Sequence, residues 1–286
     1  MRIAQLAFCA ALTAGCTNLE AVRSISTDLT LASESWETTS DELYNSCRRE
    51  YRLNHQIADC EADKANALGL ADATEVLRIY FETLAAAAGG DAFTVDAGLA
   101  DVTVSVSRIS GVDPAQVDAV GGLARLLADI VLDAKREKVM RELIEDGGAN
   151  AQLVVDSLLK DHIAALMRTR LQTERVQAIN FYDDKFANAD LPAGVNPQDY
   201  CRDRLPRNAP ALQFLLVEEF CRHDALLTER EGAIADYEAS LNEASRALTE
   251  LQSNSARLSN AVLAERLFAI GADLRSSVRN VEAAFD

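Results

Sequence analysis

Apolar residues recur along the chain at intervals of three, four and seven, the period of a helix with one buried face. Val22, Leu29, Trp36 and Leu43 stand seven apart with Ile25 and Ala32 between them, which predicts a heptad seam near the N-terminus. A second helix is predicted from about Ala62 to Ala88, with Val76, Leu77, Tyr80, Phe81 and Leu84 on one face and Gly89-Gly90 as its stop. Val95, Leu99, Val102, Val106 and Ile109 keep helical steps, although Val102 to Ser107 also alternates as a strand would. No neighbouring segment offers a partner strand, so a helix is expected there. Asp113-Pro114 joins an N-cap to a proline at the first helical position. The helix it opens is expected to reach Asp146, bent at Gly121-Gly122 and closed by Gly147-Gly148, with another from about Asn150 to Ala189.

Four of the five prolines, Pro192, Pro197, Pro206 and Pro210, fall close together and mark one long loop over residues 190–210. Beyond it Leu227, Ile234, Leu241 and Leu248 are spaced by seven, with Tyr237, Ala244, Leu251 and Leu258 between them. One helix from there to Phe285 would approach 110 Å. Either the molecule is elongated or the helix breaks, and Gln252 to Ser255 holds the poorest helix formers. The expected fold is all-α: a single elongated antiparallel helical bundle over residues 16–286, with long coiled-coil-like helices and the proline-rich loop at one point along it.

Composition narrows the function classes. The 286 residues carry a net charge of −17, which repels phosphate backbones and argues against a nucleic-acid partner. Apolar residues at 49% argue against disorder, and only 13 glycines and five prolines argue against most all-β folds.

The N-terminus adds an address. A single Arg2 precedes an uncharged run from Ile3 to Leu19, the shape of a secretory signal over residues 1–15. The stretch Leu12-Thr13-Ala14-Gly15-Cys16 resembles the lipobox of bacterial lipoproteins, with Thr13 where that family prefers leucine. The resemblance implies that Cys16 is acylated and becomes the first residue of the mature chain. Acyl chains there would anchor the protein firmly to a bilayer. In the Gram-negative family an aspartate after the cysteine retains the protein at the inner membrane, so Thr17 implies the periplasmic side of the outer membrane. The segment from about Gly121 to Ile163 is similar in texture to uncharacterised helical envelope proteins of proteobacteria, a likeness that implies no activity.

Of six cysteines, Cys9 falls in the leader and Cys16 would carry lipid. Cys47, Cys60, Cys201 and Cys221 remain, an even number suited to disulfides in an oxidising compartment. Three connectivities are possible, and sequence proximity favours Cys47–Cys60 and Cys201–Cys221. A zinc site is the alternative, with no C-x-x-C pair and only three histidines to support it. An unbroken helix would hold Cys47 and Cys60 roughly 20 Å apart, so pairing requires the chain to reverse near Asn54-His55-Gln56.

Candidate chemistry is sparse. No phosphate-binding loop, zinc-protease motif, nucleophile elbow or haem attachment motif occurs, and no cofactor is expected. Ser157-Leu158-Leu159-Lys160 matches S-x-x-K without its partner motifs and lies on an amphipathic stripe. Cys221, His223 and Asp224 are close in sequence, but a disulfide would remove the nucleophile. Arg202, Arg204 and Arg207 make the proline-rich loop locally basic, and arginine forks suit carboxylates and phosphates. They are the candidate contact residues for an envelope protein partner. The expectation is a non-enzymatic, lipid-anchored binding or scaffolding protein of the cell envelope. The alternative is a membrane-active helical protein of the pore-forming kind, with the small uncharged tract Ala85 to Gly90 as its inserting tip. A cell-wall enzyme or enzyme regulator is a third class, for which no residues stand out.

Overall fold

The computed structural model describes the chain apart from residues 1, 55–58, 91–98, 100, 131–135, 190, 192–196, 203–204, 206–208, 259 and 286. For residues 2–18, 54 and 136–137 it describes the backbone only. Every regular element among the described residues is a helix: α1 (Arg2–Thr38), α2 (Ser40–Asn54), α3 (Glu61–Gly89), α4 (Val102–Val106), α5 (Pro114–Asp129) and α6 (Arg136–Glu142) in the first half. The second half holds α7 (Gly148–Leu153), α8 (Ala164–Asn188), α9 (Pro197–Arg202), α10 (Ala211–Ser253) and α11 (Ala261–Phe285).

The N-terminal seam is buried as its spacing requires: Val22, Ile25, Leu29, Ala32, Trp36 and Leu43 all lie in the main core. Thr39 separates α1 from α2, its hydroxyl donating to the Trp36 carbonyl at 2.7 Å. The chain then reverses between Asn54 and Glu61, and Cys47 pairs with Cys60 across the reversal at a Cα separation of 6.0 Å. That clip returns α3 along α2 and α1. Gly90 ends α3 with φ 83°, a left-handed conformation open to glycine, and donates to the Ala86 carbonyl.

The middle of the chain departs from the expectation. Residues Val102 to Val106 are helical, with Val102 and Val106 buried and Val104 exposed, but α4 is far shorter than a helix from Val95 to Ile109, and Val95 lies outside the described residues. Asp113 forms the anticipated cap as a full capping box with Gln116. The helix it starts does not reach Asp146; it stops at Asp129. Gly147-Gly148 does not end a helix either. The chain is continuously helical from Arg136 to Asn188, passing through π-helical stretches at Leu143–Gly147 and Val154–Ile163. These glycines permit close approach. A Cβ on Gly147 would stand 2.8 Å from the Tyr80 ring and 2.7 Å from Leu126, and one on Gly148 would stand 2.9 Å from the Gln252 side chain. Gly121 and Gly122 do the same against Thr103 and Asn150.

The C-terminal segment breaks where its weak helix formers predicted. α10 ends at Ser253, a 3₁₀ turn covers Ser255–Arg257, and α11 returns antiparallel. The 43 residues of α10 span about 63 Å, so the bundle is elongated. All eight seam residues from Leu227 to Leu258 lie in the main core. Trp36 Nε1 donates to Ser240 Oγ at 2.7 Å, which fixes the height of α1 against α10.

Close approach is testable by contrast. Gly147→Ala should lose about 1–3 kcal/mol through overpacking. Gly232→Ala, at an exposed helical site with nothing within 4 Å, should gain about 0.5–1 kcal/mol. Urea midpoints of the two variants measure both.

Candidate functional site

The proline-rich loop is anchored at both ends. α9 lies within it, and Cys201 pairs with Cys221 of α10 at a Cα separation of 5.4 Å. Beneath α9, Tyr182, Phe186, Leu191, Val217 and Phe220 form a second, separate apolar core. Its rings meet edge to face, Tyr182 with Phe220 at 5.2 Å and Phe186 with Tyr200 at 5.3 Å. Gln198 Nε2 donates to Asp224 Oδ1 at 3.0 Å, a further tie from α9 to α10. Arg202 is exposed at the end of α9; Arg204 and Arg207 lie outside the described residues. Leu212, Phe214 and Leu215 stand exposed on the first turns of α10, beside this loop.

Between the two cores lies a polar layer. Glu174 of α8 is fully buried. Its carboxylate accepts from Ser46 Oγ at 2.6 Å, Arg49 Nε at 2.8 Å and Arg49 Nη2 at 2.9 Å. His223 Nε2 of α10 lies 3.3 Å from Glu174 Oε1. Arg49 also forks onto Glu42, and Glu42 Oε2 is 3.9 Å from Arg230 Nε. Arg230 in turn donates to the Ala284 carbonyl and lies over the Phe285 ring at 4.5 Å, securing the end of α11. The signal for Glu174 was present: Met167, Leu171, Glu174, Ala178 and Tyr182 share one helical stripe, and only one of them is ionic.

Burial pushes the Glu174 carboxyl up, but His223, Arg49 and Ser46 outweigh it and hold it below its ordinary value. Asp28, buried against α11, moves the other way: burial raises it despite the hydrogen bond from Arg275. The layer provides cohesion rather than a nucleophile with a base. Among the described residues no group of histidine, cysteine and acidic side chains could hold a metal.

The remaining candidates resolve into structural partners. Ser157 Oγ accepts from Gln116 Nε2 at 2.8 Å. His162 Nε2 donates to the Ser110 carbonyl at 2.9 Å. Cys221 is in a disulfide and Asp224 pairs with Arg175, so neither joins His223. His55 lies outside the described residues. An open groove of about 620 Å³ runs between α8 and α10, lined by Arg168, Thr169, Gln172, Thr173, Glu231 and Ala235. No protein-family model, curated protein or solved structure matches the chain.

Glu174→Ala would leave Arg49 short of its buried partner and should cost about 3–5 kcal/mol. A carboxyl lowered in the folded state contributes stability above its unfolded pKa and loses it as pH falls through the folded value. The wild-type denaturation midpoint should therefore drop as pH falls below about 4.5, and Glu174→Gln should flatten that limb. Asp28 contributes with the opposite sign, so Asp28→Asn should leave the acid limb or steepen it.

Proposed function

We propose that the chain is an outer-membrane lipoprotein, anchored through acyl groups on Cys16, that serves the envelope as a non-enzymatic spacer or scaffold. The carrying observation is the cysteine pairing. Cys47–Cys60 and Cys201–Cys221 are both in disulfide geometry, the state expected of an exported chain in an oxidising compartment. With Cys9 in the leader, Cys16 at the end of the lipobox is left for lipid. Among the described residues no helix is long and apolar enough to cross a membrane, which leaves the N-terminal anchor as the membrane attachment in this reading.

The contact face of the scaffold is the disulfide-pinned loop. A rigid support lowers the entropy cost of binding through a loop. The aromatic core under α9 and the Cys201–Cys221 bridge supply that support. Arg202, Arg204 and Arg207 carry the charge for an acidic envelope protein. The pore-forming alternative would require Ala85 to Gly90 to leave the bundle, yet Ala87 packs into the main core, which favours the scaffold.

Cys16→Ala should shift the protein from the membrane to the soluble fraction of a Gram-negative cell. Unchanged fractionation removes the anchor. Changing Arg202, exposed at the end of α9, together with Arg204 and Arg207 to Ser should leave the thermal midpoint nearly unchanged. Capture of an envelope partner by crosslinking in cells should weaken; retained capture with a collapsed midpoint would assign the arginines to structure.

A further inference from the structure

The two disulfides sit in opposite surroundings. Cys47 and Cys60 are 1% and 5% exposed, whereas Cys201 is exposed and Cys221 only partly buried. Cys60 lies between Asp59 and Glu61. Beside Cys47, Arg49 is committed to Glu42 and Glu174, and Arg48 lies over the Tyr44 ring. Cys201 and Cys221 are each followed by an exposed arginine, Arg202 and Arg222. Further along α10, His223 and Asp224 are turned to Glu174 and Arg175. A neighbouring guanidinium favours a thiolate over a thiol, while burial and acidic neighbours disfavour it.

The elements that each bridge joins differ as well. Cys47 and Cys60 tie α2 to the start of α3, helices of 15 and 29 residues that pack along each other. Once cleaved, their sulfurs would stay opposed and reclose. Cys221 stands on the 43-residue α10 and is equally fixed. Cys201 stands on α9, six residues long and too short to persist as a free helix. α9 covers the aromatic core through Tyr200 on Phe186, and that core is separate from the main one.

We propose that Cys201–Cys221 is an exchangeable latch, which an exported protein dithiol opens to release α9 from the aromatic core while Cys47–Cys60 stays closed. A thiolate of the carrier attacks the exposed Cys201 sulfur, and Cys221 leaves as a thiolate beside Arg222. The carrier's second thiolate then attacks its own sulfur in the mixed disulfide and expels Cys201. Two electrons pass to the bridge, the two freed thiolates take up the protons given up by the carrier, and the carrier ends as a disulfide. Opening is local, because the main core contributes no residue to the aromatic one. In the scaffold reading, on which this consequence alone rests, the open form withdraws the rigid support of the arginine-bearing loop, and partner contact follows the redox state.

Timed reduction of the purified full chain tests the latch without lipid or partner, so its outcome is separate from that of the scaffold reading. Cys9 and Cys16 are first capped with light iodoacetamide, and dithiothreitol is added as the dithiol. Thiols freed at each time are alkylated with heavy iodoacetamide and assigned by peptide mass spectrometry. Cys201 and Cys221 should be labelled at least about tenfold faster than Cys47 and Cys60. Equal rates, or the reverse order, overturn the proposal. Hydrogen exchange of the chain alkylated at Cys201 and Cys221 should speed up at residues 197–202 and around Phe186, with Leu241 to Leu251 still protected. Protection kept at α9, or lost along Leu241 to Leu251, overturns it equally. Arg202→Gln with Arg222→Gln should slow reduction of this bridge by about threefold, an effect that exposure alone would not give. An unchanged rate overturns the role assigned to the arginines.

Discussion

A buried carboxylate must bring its donors with it, and Glu174 sets this requirement for the whole bundle. It draws Ser46 and Arg49 from α2 and meets His223 from α10. Along α8, Leu171 on one side belongs to the main core and Tyr182 on the other to the aromatic core. Along α10 the same division falls between Leu227 and Phe220. Close packing in the two apolar cores resists sliding of the long helices. The polar layer between them adds to that resistance, because any slip strands charge away from water. The register of three helices is thus tied to one side chain, and through Arg230 the end of α11 is tied to it as well.

Most of the fold was legible because its information is periodic. The heptad seams at Val22 to Leu43 and Leu227 to Leu258 are buried throughout, since a sustained period has one reading. The cap at Asp113 and the break near Ser253 were legible for a local reason: each depends on the residues at the site itself. Gly147-Gly148 was not. A glycine pair gives the same sequence signal whether it ends a helix or admits a neighbour, and the Tyr80 ring that decides between them comes from another helix. Asp129, where α5 does end, carries no stop residue at all.

The candidate site divides along the same line. Both disulfides could be favoured from cysteine number and sequence proximity, quantities internal to short segments. The aromatic core under α9 could not, because its rings come from Phe186, Tyr200 and Phe220, brought together only when the loop is pinned. Glu174 was obscured by a default: an acidic residue in an amphipathic helix is assigned to water unless its neighbours on the stripe are read first.

These features give the two ends of the rod different physics. At one end the turn between α10 and α11 packs against Gly148 by close approach, beside Glu145, with Gly147 against the Tyr80 ring. At the other, rings, a disulfide and a buried ionic layer hold a loop in place. A loop that must present a fixed face needs directional constraints, and these are concentrated at the α9 end. The seam of α10 joins the ends through continuous apolar contact from Leu227 to Leu251. A load or binding event at the loop therefore reaches the opposite end through a packed core, with the Glu174 layer as the point where a shift in helix register would be resisted first.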